Sequence, residues 1–334
     1  MKKTYYLFNP GKLSRKDNTL KFTPVDENGE EGQARYLPVE GVEELYVFGA
    51  LDANSSMYNF LGKNQVCAHF FDYYENYTGS FMPRDSLLSG KLLVKQVEHY
   101  AGRKKRIEIA RKFVEGAAFN MTKNLKYYQN RGKETAPFIE AISQLSTKID
   151  ETDEVDALMG IEGNIRMNYY EAFNLIINDF EMGGRSKQPP ANEVNALISF
   201  GNMMCYSQCL RAIHQTQLNP TISYLHSPGD RRYSLALDLA EIFKPILVDR
   251  LIFSMLNRKE LKADDFDHKL NRILLKEKGK KAFVSGFEKR LSETIQHRKL
   301  GRSVSYKYLI RLECYKLIKH IMGIDEYKPF KMWW

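Results

Sequence analysis

The sequence predicts an α+β protein in which a small, mainly β N-terminal domain (residues 1–85) is followed by a large all-α C-terminal domain (residues 86–334). Two observations carry this. Up to Tyr74 the chain is a series of short segments rich in aromatic and β-branched residues, whereas from about Ser86 the apolar residues recur at helical spacing. The charge divides at the same place: residues 1–85 hold 9 basic and 12 acidic side chains, net −3, and residues 86–334 hold 41 and 29, net +12. A +12 domain beside a slightly acidic one suggests that one part meets a polyanion while the other serves structure or association.

Taken in order, Thr4 to Phe8, Leu20 to Thr23, Arg35 to Val39, Leu45 to Phe48 and Val66 to Tyr74 read as strands. Asn9-Pro10-Gly11 and Asn28-Gly29 are turns by their chemistry, and Ser56 to Leu61 is one short helix before Gly62. Pro83 discourages helix in the residue before it and marks the boundary. Leu87, Leu88, Leu92, Leu93, Val97 and Tyr100 then open the helical period, and Ile107, Ala110, Phe113, Val114 and Ala117 continue it. Further helices are expected at about 136–149, 153–180, 192–217, 233–257, 264–277, 280–299 and 303–322. Gly160, Gly163 and Gly201 fall inside them, each at about 1 kcal/mol against Ala, which asks for a packing or ligand reason. The longest apolar stretch, Pro245 to Leu256, is broken by Asp249 and Arg250, short of the roughly 18–20 residues of a membrane span. Lys2-Lys3 is followed by too short an apolar run for a secretory leader. With four sparse cysteines, the expectation is a cytoplasmic protein with reduced thiols and no membrane contact.

The chemistry concentrates between His226 and Pro245. From Leu235 to Phe243 only Asp238 and Glu241 interrupt apolar residues, so this helix should be buried nearly all round and its two carboxylates must be compensated. A divalent cation would relieve their repulsion; an ion pair with Arg231, Arg232 or Arg250 is the competing reading. His226 enters this helix through a Pro-Gly turn, and His268, among Asp264, Asp265 and Asp267, reads as part of a solvated helix start. Glu162, with Gly160 and Gly163 around it, is open to a ligand, or else simply pairs with Arg166 four residues on. Cys205 and Cys209 read as core residues rather than soft-metal ligands. Arg231, Arg232, Arg250, Lys289, Arg290, Arg298, Lys299 and Arg302 are candidate phosphate contacts for DNA. No P-loop, dinucleotide, HExxH or zinc-finger spacing occurs.

Together, several segments resemble the CRISPR-associated integrase of spacer acquisition, a metal-dependent DNA endonuclease. They are Tyr6-Leu7-Phe8-Asn9-Pro10-Gly11, Glu162-Gly163-Asn164, Pro189 to Leu197, Tyr224-Leu225-His226, Ser234 to Glu241, and the tail His297 to Arg302 through Tyr315 to Ile318. The resemblance implies that Glu162, His226 and Glu241 bind one Mg²⁺ or Mn²⁺, with Asp238 beside them; which of Asp238 and Glu241 ligates stays open. It further implies a homodimer joined through the β domains, a small ferredoxin-like CRISPR-associated adaptation partner, and double-stranded DNA as substrate. Two other classes compete: a helical metal-dependent nuclease or phosphodiesterase on DNA or RNA that does not join strands, and a non-catalytic DNA-binding structural protein whose carboxylates are ion-paired.

Overall fold

The computed structural model describes residues 2–83, 88–186, 189–229, 233–269 and 272–333. The chain forms two compact units, Met1–Ser86 and Leu87–Trp334. The first holds eight strands: β1 (Lys3–Leu7), β2 (Gly11–Lys16), β3 (Thr19–Pro24), β4 (Arg35–Pro38), β5 (Val42–Val47), β6 (Leu51–Asp52), β7 (Cys67–Phe71) and β8 (Tyr77–Phe81), with helix α1 (Ser55–Lys63) before β7. They make two four-stranded sheets, ordered β1-β5-β7-β8 and β4-β3-β2-β6. In the first, β1, β5 and β7 run parallel and β8 returns antiparallel. One face of α1 buries Met57, Phe60 and Leu61 against Leu7, Leu45, Val47, Leu13 and Leu20, which closes one apolar core between the sheets. β2 carries little strand signal, since Leu13 is its one large apolar residue, yet it pairs with β3 along its whole length and with β6.

The second unit is built on α2 (Gly90–Ala101), α3 (Arg103–Gln129), α4 (Ala136–Glu151), α5 (Val155–Glu171), the single turn α6 (Phe173–Ile176), α7 (Glu193–His214) and α8 (Ser234–Lys244). α8 packs against both α3 and α7, and nine of its eleven residues are buried, so the nearly all-apolar sequence takes the central position it requires. One π-helical turn, Pro245–Asp249, joins it to α9 (Arg250–Asn257). Proline has no N–H for the helical ladder, and the carbonyls around the turn find other donors. Asn120 Nδ2 donates to the Ile242 carbonyl at 3.1 Å, Asn124 Nδ2 to Pro245 at 2.7 Å, and Arg290 Nε to Ile246 at 2.7 Å. Gly201 on α7 has its packing reason here: a Cβ would lie 2.4 Å from Val248 Cγ1 in that turn.

The expectation of an all-α C-terminal domain is corrected. β9 (Phe266–Lys269) pairs antiparallel with β10 (Arg272–Leu275), α10 (Glu277–Ser292) follows, and β11 (Thr294–His297) pairs with β12 (Arg302–Ser305) before α11 (Tyr306–Ile321). At the first hairpin, the acidic run read as a helix start forms only a single 3-10 turn, Ala263–Asp265, and the chain continues as a strand from Phe266, which is buried together with its register partner Leu275. His268 lies on β9, 3.3 Å from Glu193. In the second, β-branched Thr294 and Ile295 leave the helical period, and Gly301, at φ +62°, turns the chain back to bury Val304. Among the described residues no helix is long and apolar enough to cross a membrane.

Candidate active site

Three elements bring the candidate residues together: α5 carries Glu162 and Arg166, α8 carries Asp238, Glu241 and Lys244, and the loop entering α8 carries His226. That loop is tied down at several points. Gln96 of α2 exchanges two hydrogen bonds with the Asn219 backbone, at 3.2 and 2.8 Å. Arg106 of α3 donates to the Tyr224 carbonyl at 3.0 Å, and Ser234 Oγ donates to the Thr221 carbonyl at 2.9 Å.

Asp238 is fully buried and is the anchor of the loop. Its Oδ2 accepts the backbone N–H groups of Tyr224 (2.7 Å) and Leu225 (3.0 Å), while Oδ1 accepts the N–H of His226 (2.9 Å) and its Nδ1 (2.8 Å). With four bonds both oxygens are committed, and the compensation that a buried carboxylate needs is supplied by backbone dipoles and one imidazole. The Nδ1–H bond to Asp238 fixes the histidine tautomer and leaves Nε2 uncommitted. Burial alone would lower the pKa of His226; the hydrogen bond and charge of Asp238 outweigh it and hold the imidazole above its ordinary value.

One helical turn later, Glu241 faces two cations rather than Asp238. Lys244 Nζ lies 2.6 Å from its Oε1, and Arg166 Nη2 donates to its Oε2. The same guanidinium donates through Nε to Glu162 Oε1 at 2.7 Å, so Arg166 bridges the two glutamates. Burial would raise the Glu241 pKa, but Arg166 and Lys244 reverse this and hold it at about 2. Among the described residues no three histidine, cysteine or carboxylate side chains already surround one point as a metal cage, for Arg166 and Lys244 stand among the carboxylates. His226 and Glu241 are near enough for the charge of each to act on the other. Along α5, Gly160 and Gly163 are exposed, and a Cβ at either would meet nothing within 4 Å.

Behind this cluster sits Asp249, in the π turn, 1% exposed, with neither carboxylate oxygen in a hydrogen bond. Burial pushes its pKa up to about 7, offset only in part by the Arg166 charge and the neighbouring Tyr169 hydroxyl. Arg166 Nη1 is buried and without a hydrogen-bond partner as well.

The arginine expected to neutralise the acidic pair is therefore a different one. Arg250 instead lies over the Tyr127 ring at 5.0 Å, with its Nη1 3.3 Å from Met332 Sδ. Arg231 and Arg232 lie outside the described residues. Lys289 and Arg290 sit in the last turn of α10, Arg290 also pairing with Glu293 at 3.0 Å. Arg298, Lys299 and Arg302 surround the exposed tip of the β11–β12 hairpin, where Arg298 stacks on Trp333 and Arg302 on Tyr308. Cys205 and Cys209 are buried free thiols of α7. Sequence reasoning missed the bridging by Arg166 and the parts of Lys244 and Asp249. A signal existed for the first two, since Arg166 follows Glu162 by four residues and Lys244 follows Glu241 by three, positions that share a helix face.

The model of the family described as CRISPR associated protein Cas1 matches residues 5–289. A CRISPR-associated endonuclease Cas1 from Fusobacterium nucleatum is 48% identical over 337 residues, spanning 100% of this chain and 98% of the relative. Another, from Moorella thermoacetica, is 49% identical over 332 residues, spanning 99% and 100%. Among solved structures, a Cas1 protein from Thermotoga maritima aligns with a TM-score of 0.86 at 38% identity, over 99% of this chain and 100% of the other. A casposase bound to its integration product shares the fold, with a TM-score of 0.86 at 21% identity over 99% and 93%.

Proposed function

The chain belongs to the CRISPR associated protein Cas1 family, and from that premise we propose that it is a metal-dependent DNA endonuclease and integrase that inserts captured DNA fragments into a CRISPR array. The observation that carries this reading is the convergence of Glu162 and Glu241 on one cationic group, with the uncommitted Nε2 of His226 nearby. Glu162 and Glu241 already share one cationic partner, Arg166. Two carboxylates and an imidazole suit Mn²⁺ or Mg²⁺, so the residues fit the group. Glu162, Glu241 and His226 would hold it; Asp238 would not, because both of its oxygens are spent on the 224–226 backbone and on Nδ1. When bound, the ion supplies Lewis-acid charge at the scissile phosphate and favours ionisation of the attacking hydroxyl.

The chain's own residues do the rest. Asp238 holds the imidazole in one tautomer and orientation, the positioning role that carboxylates take behind histidine ligands. The open space beside Gly160 and Gly163 admits a strand to Glu162. Arg250, Lys289, Arg290, Arg298, Lys299 and Arg302, with Arg231 and Arg232, take phosphates of duplex DNA, for which the +12 unit provides the field. Attack by a DNA 3′-hydroxyl forms one P–O bond as another breaks and so joins strands; attack by water in the same geometry cuts. The slightly acidic β-rich unit is assigned to association, as a homodimer that meets the small ferredoxin-like adaptation partner.

Ion-paired carboxylates are also what a non-catalytic DNA-binding protein would show. A supercoiled-plasmid assay with a 3′-hydroxyl duplex and Mn²⁺ or Mg²⁺ separates the readings, run with and without the small partner on wild type, Glu162→Ala and His226→Ala. Metal-dependent joining abolished by both substitutions is the expected result. Metal-dependent cutting without joining would leave a plain nuclease, and DNA binding with neither activity would overturn the enzymatic reading.

A further inference from the structure

Arg166 holds the two glutamates to which the metal reading assigns a cation, and a dication and this guanidinium compete for the same oxygens. The displaced guanidinium needs somewhere to go, because Arg166 is mostly buried and remains charged: burial would lower its pKa, but Glu162 and Glu241 outweigh that and hold it well above its ordinary value. Among the described residues the surroundings offer an acidic acceptor for it. Asp249 is buried in the π turn with both oxygens free of hydrogen bonds, and the Nη1 of Arg166, the arm that touches neither glutamate, is buried with no partner either. The charges of these two groups already act on one another. Lys244 holds the other oxygen of Glu241, Oε1, and can keep it when a cation takes Oε2 from Arg166.

We propose that Arg166 and Asp249 form a counter-ion exchange built into the metal site: Arg166 bridges Glu162 and Glu241 until a divalent cation takes them, and then turns its guanidinium to Asp249. Both are positioning residues for metal loading, not ligands. The exchange rests on the metal reading above and adds to it a reason for a buried carboxylate with no bonds of its own. Arg166 has a carboxylate partner in both arrangements, which a site of two glutamates and a histidine alone would not give it.

The test is the Mn²⁺ dissociation constant, read by isothermal titration or by the electron paramagnetic resonance of free Mn²⁺, on the full chain. Arg166→Met removes the competitor and should tighten binding about tenfold, while Asp249→Asn removes the alternative partner and should weaken it about tenfold. The decisive result is the double variant: without the arginine, Asp249→Asn should no longer change the constant. If Arg166→Met does not fold, Arg166→Gln, which loses the charge but keeps polar atoms, takes its place in the cycle. An Asp249→Asn effect that is absent, or equal in both backgrounds, overturns the exchange alone. Wild-type binding that Glu162→Gln and Glu241→Gln leave untouched overturns the metal reading and the exchange with it.

Discussion

Replacing Asp238 by Asn probes the centre of the candidate site by exchanging one oxygen for an NH₂ group. The carboxylate accepts four hydrogen bonds, three from backbone N–H groups and one from His226 Nδ1. An amide has one acceptor oxygen, so two of the four donors would lose their acceptor, and the new NH₂ would face them. Hydrogen bonds to a charged acceptor contribute about 1.5–3 kcal/mol each. Losing two in a fully buried position gives a destabilisation of about 3–6 kcal/mol. For a helical unit of this size, about 1 kcal/mol moves Tm by roughly 2–4 °C, so a fall on the order of 10 °C is expected in a calorimetric or circular-dichroism melt. Function should suffer separately. The imidazole loses the group that fixes its tautomer, and a loss of roughly 10–100-fold in metal affinity follows from removing such a partner. The measurement is a pair: the melt, and Mn²⁺ titration at a temperature where the variant is folded. An Asp238→Asn protein that melts within a degree or two of wild type and binds Mn²⁺ equally well would refute the anchoring role.

Further outcomes follow from particular contacts. Asp249 is raised from its unfolded value of 3.8 to about 7, so the folded state holds its proton longer than the unfolded one, and stability falls as pH rises through this window. Asp249→Asn should therefore gain on wild type by on the order of 4 kcal/mol between pH 4 and pH 8, with Arg166, Arg185, Lys244, Glu241 and Tyr169 as the charged or titratable groups around it. A constant difference across pH in thermal melts would contradict this. Two glycines should behave oppositely: Gly201→Ala overpacks against Val248 and costs about 1–3 kcal/mol, whereas Gly163→Ala meets open space and should stabilise α5 by up to about 1 kcal/mol while narrowing the approach to Glu162. Melts together with the joining assay read both effects, and two shifts of the same sign would count against the packing argument. Replacing Arg298, Lys299 and Arg302 by Ala should reduce the slope of log binding constant against log salt by up to about 3. An unchanged slope in fluorescence-anisotropy titrations would remove the β11–β12 tip from the DNA path.

Local pattern made several features legible. The period-2 and 3.6-residue spacings located most of the strands and helices, and the all-round apolar character of 235–243 marked α8 as buried with its carboxylates in need of partners. The features that escaped lack a local signature. β2 has a single large apolar residue, and it is a strand because β3 and β6 supply its ladder bonds. The hairpins at 266–275 and 294–305 bury only a few side chains each, too few to overrule a charged helical reading.

For the site, the sequence by itself nominated Asp238 and Glu241 as costly carboxylates on an apolar helix, His226 on the turn that enters it and Glu162 between two glycines, and the family resemblance joined the four. What tertiary structure decided was how each is compensated. Asp238 turned to the backbone of residues 224–226, and Glu241 to an arginine 75 residues earlier in the chain. Asp249 was left with the charge of Arg166 and the hydroxyl of Tyr169 beside it. Charge and burial are properties of composition and period, which a chain displays along its length. The choice of counter-charge depends on which side chains of α5, α8 and the π turn meet across the packed interior, and only folding sets that.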